Sequence, residues 1–171
     1  MFRLGLVFIE IAFHRCGPER LPVSRFLFGL LTVIYLFASI VATQIAEPLS
    51  RAAAMVVFDT ALYLGFISLL LTAYSYPGRF YQTVTAIFGA QTFLTLIGIP
   101  FLLSIGIENG EIEVPGAGTW LFLMLILWSI DIAGFVLSRA LQISYFLGVL
   151  IVLGYSFGSY TLGGLLFPVA G

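Results

Sequence analysis

The chain has no lysine, one histidine and one cysteine in 171 residues, and charged side chains of either sign make up only 9% of it. Each shortage removes a class of chemistry. Without lysine there is no Schiff-base nucleophile. His14 alone cannot supply the ligand sets of zinc or haem sites. Cys16 alone excludes a disulfide framework and a cysteine-rich metal centre. A formal net charge of −1 leaves no basic patch for a phosphate backbone, so nucleic acid is not an expected partner. Neither a phosphate-cradling glycine loop nor a serine nucleophile elbow occurs. The expectation is a non-enzymatic protein with no catalytic, cofactor-binding or metal-ligating residues and no cofactor.

What the chain has instead is apolar length. Hydrophobic residues make up 61% of it, and a helix that spans a bilayer needs about 20 mostly apolar residues. Charge-free runs cover 26–46, 80–107 and 140–171, while 52–78 and 114–138 are interrupted only by Asp59 and Asp131. This pattern predicts an all-α, polytopic membrane protein, a five-helix bundle with transmembrane helices at 26–45, 53–74, 81–105, 118–138 and 143–167. A cytoplasmic or interfacial segment, 1–24, precedes them, and the whole of 1–171 forms one membrane domain with short loops.

The placement of arginine sets an orientation. With the amino terminus inside, Arg3, Arg15, Arg20, Arg25, Arg79 and Arg139 are cytoplasmic and Arg51 alone is outside, as the positive-inside rule requires. Glu108, Glu111 and Glu113 then fall in an external loop, and the carboxyl terminus ends outside. Residues 1–13 are apolar apart from Arg3 and Glu10 but too short to cross. Helical spacing puts Arg3, Glu10 and His14 on one stripe, which suits a short helix lying in the interface with that stripe toward water, or packed on the bundle. Gly17-Pro18 ends it.

Asp59 and Asp131 are each the single charge of their run. A carboxylate at mid-membrane costs about 2.5 to 3.5 kcal/mol on translocon scales, so each needs partners, a proton or a wet cavity. Counted from the outer edge at 1.5 Å per residue, Asp59 lies about 9 Å deep and Asp131 about 20 Å deep, which separates them rather than pairing them. Tyr63, four residues after Asp59, projects from the same helix face. Gln91 in the third span and Tyr155 in the fifth offer further donors, so Asp59, Tyr63, Asp131, Gln91 and Tyr155 form the candidate intramembrane polar site. Gly154 and Gly158, in small-xxx-small spacing, are the candidate helix-packing residues.

Two-aspartate intramembrane proteases carry Tyr-Asp and Gly-x-Gly-Asp, whereas the contexts here are Phe58-Asp59-Thr60 and Ile130-Asp131-Ile132. Three other stretches carry a resemblance: Arg15-Cys16-Gly17-Pro18-Glu19-Arg20-Leu21-Pro22, Pro77-Gly78-Arg79-Phe80-Tyr81-Gln82-Thr83, and the last span from Gly154-Tyr155 to Leu166-Phe167-Pro168. On these the chain resembles a group of small, uncharacterised five-helix inner-membrane proteins of proteobacteria, and its topology is similar to that of Yip-domain proteins. Neither resemblance implies a reaction or a ligand. Short loops and the missing catalytic motifs point first to a scaffold, assembly factor or small subunit of a membrane complex. Its partners would be the lipid bilayer and other membrane-protein subunits or a second copy. The alternative is a transporter or proton-linked permease component that uses Asp59 and Asp131.

Overall fold

Each of the five apolar runs is a helix. The computed structural model describes residues 2–105, 107–108, 111–112 and 116–168, with side chains over 5–105 and 116–168. The expectations for the side chains of Arg3, Glu108 and Glu111, and for Glu113 and the last three residues, lie outside that description. The helices are α1 (Phe2–Ala12), α2 (Arg25–Thr43), α3 (Leu49–Ala73), α4 (Phe80–Ser104), α5 (Ala117–Leu141) and α6 (Tyr145–Leu166). The last five are long and apolar enough to cross a membrane. Ile107–Glu108 and Glu111–Ile112 pair as a two-residue antiparallel ladder between α4 and α5.

Local chemistry sets the boundaries. Ser24 and Ser144 cap α2 and α6, their hydroxyls accepting from the amides of Leu27 and Leu147. Gln142, left-handed at φ 58°, ends α5, and the chain re-enters α6 after three residues. α3 begins at Leu49, four residues before the expected start at 53, because Pro48 sits just ahead of its first turn, where a missing N–H costs no helical bond. α4 runs through Pro100 to Ser104.

α4 is the centre of the bundle, with Val84, Ala86, Ile87, Phe88 and Ala90 all fully buried. It lies between α2 and α5; α3 packs on α2, and α6 on α5. One end of the bundle gathers the arginines: the Arg79 guanidinium donates to the Ala140 carbonyl at 2.7 Å, Arg139 pairs with Glu19 at 2.7 Å, and Gln82 donates to the Leu21 carbonyl at 2.8 Å. At the other end Arg51 donates to the Phe167 carbonyl at 2.8 Å. These contacts make successive long helices antiparallel. Their outer faces are apolar, with Val33, Phe37, Leu69, Met124, Leu127, Phe146 and Phe157 all exposed. Such a surface is what a hydrocarbon solvent requires.

Of the two placements expected for α1, in the interface or packed on the bundle, its contacts are those of the second. Phe8, Ile11 and Ala12 are buried against α4 and α5, and the Trp128 indole N–H donates to the Ala12 carbonyl at 3.0 Å. Trp128 is thirteen residues before the end of α5, about 20 Å along the helix. The cause is complementarity. Gly89 leaves a hollow that the Phe8 ring fills, since a Cβ there would come within 2.8 Å of the ring. The indole also satisfies a carbonyl that the end of α1 leaves without an intrahelical partner. One expectation changes: Gly154 and Gly158 make no close helix contact within the chain, for both face open space. The close approach of α5 and α6 is made by Gly134 and Gly148 instead: a Cβ on Gly134 would sit 2.6 Å from Val149 Cγ2, and one on Gly148 would sit 2.9 Å from Ser138 Cβ. The small-xxx-small pattern marks a helix that can be approached, not one that is.

Candidate ligand cavity around Asp59

Asp59 projects from the middle of α3 toward α6. The Tyr155 hydroxyl donates to its Oδ1 at 3.0 Å and is 3.2 Å from its main-chain carbonyl, and the Ser159 hydroxyl also donates to Oδ1. Tyr155 and Ser159 are four residues apart, so one face of α6 supplies both. Several serine and threonine hydroxyls in the spans are satisfied within their own helix, as Thr92 is by the Phe88 carbonyl and Ser156 by the Val152 carbonyl. The Asp59 contacts cross from helix to helix.

A cavity of about 210 Å³ lies beside Asp59, and Tyr35, Tyr63, Phe88, Gln91 and Tyr155 help to line it. The Tyr35 ring stacks on Phe88 with centroids 4.3 Å apart and planes 6° apart. Tyr63 meets Tyr155 edge to face at 4.9 Å and lies 6.2 Å from Phe88. Gln91 donates to the Ser129 carbonyl at 2.9 Å and so closes the side toward α5. A larger cavity of about 810 Å³ reaches Asp59 from the other direction, between α2, α3 and α6, past Ser39, Thr95 and the Glu47–Arg51 pair. Arg51 Nε is 3.2 Å from Glu47 Oε2, and both side chains are about a quarter exposed. Asp59 and Tyr35 line both spaces.

Asp131 belongs to a separate cluster. Its Oδ2 lies 3.1 Å from His14 Nε2, and the Tyr145 hydroxyl donates to Oδ1. The His14 ring stacks on Phe135 at 4.3 Å, and the His14 and Asp131 side chains are each one-third exposed. His14 reaches this position by adopting φ 56° in the turn that ends α1, two residues beyond Ala12. Still partly exposed, it turns to Asp131, whereas Glu10, expected on the same stripe, pairs with Arg20 at 3.3 Å. Of the five residues read as one polar site, Asp59, Tyr63, Gln91 and Tyr155 share the inner cavity and Asp131 stands apart. Counted on the observed helices, Asp59 is about 15 Å and Asp131 about 21 Å from the Arg51 end.

No protein-family model, curated protein or solved structure matches the chain. Tyr35, Phe88, His14 and Tyr145 complete the two clusters and were not among the candidates. Tyr35 had a signal, because Thr32, Tyr35, Ser39 and Thr43 recur at helical spacing and make a polar stripe along α2. His14 had none, since its reach depends on where α1 docks.

Proposed function

We propose that this chain is a non-enzymatic integral membrane protein that binds a small solute at Asp59, as a permease component. One observation carries the reading: a cavity of about 810 Å³, within the range of small-molecule sites, reaches an intramembrane carboxylate from one end of the bundle. A carboxylate in a spanning helix is expensive unless it has partners, a proton or a wet space; Asp59 has hydroxyl partners on one side and such a space on the other, and a site open to one side is half of an alternating-access cycle. Arg20, Arg25, Arg79 and Arg139 share the end opposite Arg51. That asymmetry supports a bacterial inner-membrane protein with its amino terminus in the cytoplasm and the cavity mouth on the periplasmic face.

Ser39→Cys and Thr95→Cys test the reading against the silent background of buried Cys16. A membrane-impermeant methanethiosulfonate should modify both from the periplasmic side. Protection of both positions from either side would remove the basis for a solute site.

A second reading, a scaffold or small subunit of a membrane complex, has its own support. Gly154 and Gly158 leave a face of α6 on which another helix, of a partner or a second copy, has room to approach within the bilayer. Purification in mild detergent would carry a partner with the chain, and a lone monomer would count against this reading.

A further inference from the structure

We infer that the Asp59 cavity takes a small organic cation, a quaternary or protonated amine carried on an apolar body. The inference rests on the cavity being a binding site. Charge sets the sign of the ligand. The lining carries Glu47, Arg51 and Asp59 as its charged groups, and Arg51 lies 3.2 Å from Glu47. Among the described residues no cationic side chain forms an ion pair with Asp59, whose partners are the hydroxyls of Tyr155 and Ser159. An ionised Asp59 thus leaves the cavity one negative charge in excess, and a monovalent cation offsets the cost of holding a carboxylate among apolar helices.

The walls set the kind of cation. Tyr35, Tyr63, Phe88 and Tyr155 ring the inner space, and aromatic faces attract alkylammonium heads electrostatically while burying their methyl groups. A hard metal ion needs about six oxygen ligands, usually with several carboxylates, and Asp59 is the single acidic side chain among the described residues lining the inner space. A neutral solute gains nothing from Asp59, and an anion is repelled by it. The inner space accepts the ammonium head. The larger cavity, with Met55, Val56, Phe58 and Leu165 along it, accepts an apolar body.

The test uses the full chain in mild detergent with radiolabelled choline as the probe, by equilibrium dialysis. Its neutral carbon isostere, 3,3-dimethylbutan-1-ol, is the competitor. The expected result is saturable choline binding that the alcohol does not displace. Asp59→Asn should weaken binding at least about tenfold and Tyr63→Leu by several-fold, with Asp131→Asn unchanged. Displacement by the alcohol as effective as by unlabelled choline would overturn the inference, and this competition needs no variant to fold. Choline binding that survives Asp59→Asn in a folded protein, or no choline binding at all, would overturn it too. Each of these leaves the solute-site reading standing if Ser39→Cys and Thr95→Cys are modified, and both fall if those positions are protected.

Discussion

The Tyr155 hydroxyl lies 3.0 Å from the Asp59 carboxylate and 3.2 Å from the Asp59 carbonyl, so a single phenol ties α6 to α3 near the middle of the bundle. Ser159 holds the same carboxylate oxygen from the next turn. Tyr155→Phe removes the phenol's share and keeps the ring contacts with Tyr63 and Phe66. The expected loss is about 0.5 to 2 kcal/mol, the range of interhelical hydrogen bonds in membranes. Unfolding in mixed micelles of increasing sodium dodecyl sulfate measures it.

The α5–α6 contact depends on missing side chains. Gly134→Ala drives a methyl into Val149, and relieving that overlap costs about 1 to 3 kcal/mol. Gly154→Ala and Gly158→Ala meet open space and should stay within about 0.5 kcal/mol of the native protein in the same assay. Equal effects at Gly134 and Gly154 would contradict the packing described.

Cys16 reports on the docking of α1. Its thiol is buried, with Sγ 3.8 Å from the Val7 carbonyl, and burial together with the Glu10 charge pushes its pKa up. The thiolate is the reactive form, so maleimide labelling should be at least about tenfold slower in the native protein than in dodecyl sulfate. Trp128→Ala takes away the indole donor to Ala12 and the 5.3 Å contact with Phe13. It should speed labelling toward the unfolded rate. Labelling that is already fast in the native chain would place α1 elsewhere.

Glu19 gives a pH dependence outside the spans. Burial raises its carboxyl pKa, but the Arg139 hydrogen bond, its own backbone N–H and the Arg139 and Arg79 charges outweigh that and hold it below the ordinary value of 4.5. A depressed carboxylate contributes stability that is present above its unfolded pKa and lost as the pH falls through the folded one. Stability should therefore drop below about pH 4.5. Glu19→Gln should flatten that part of the profile while lowering stability near neutrality. The pair is half-exposed, so the effect is small and weaker in high salt.

The long helices were legible because a bilayer span is written in composition, and Ser24, Pro48 and Gln142 shift its ends by only a few residues. Asp59 and its helix neighbour Tyr63 were legible for a related reason, since a lone carboxylate in an apolar run advertises a polar interior. Which residues meet it was half visible. Tyr155 and Gln91 follow from polarity within their spans, whereas Phe88 is an apolar residue whose ring matters only once Tyr35 stacks on it. The partner of Asp131 was out of reach. It needed the fit of Phe8 into Gly89, the Trp128 bond to Ala12 and a left-handed His14, and none of these leaves a periodic trace. Gly154 and Gly158 do not pack within the chain, because small residues permit close approach without requiring it.

The separation of the two aspartates is tested most directly by making each position reactive in turn. Asp59→Cys and Asp131→Cys are treated with a membrane-impermeant thiol reagent in sealed vesicles of both orientations. The expected result is modification at 59 only from the side of the Arg51 end, with position 131 silent from that side. Modification of both positions from the same side, or of position 59 from neither, would contradict a cavity that opens at one end of the bundle and reaches Asp59 alone.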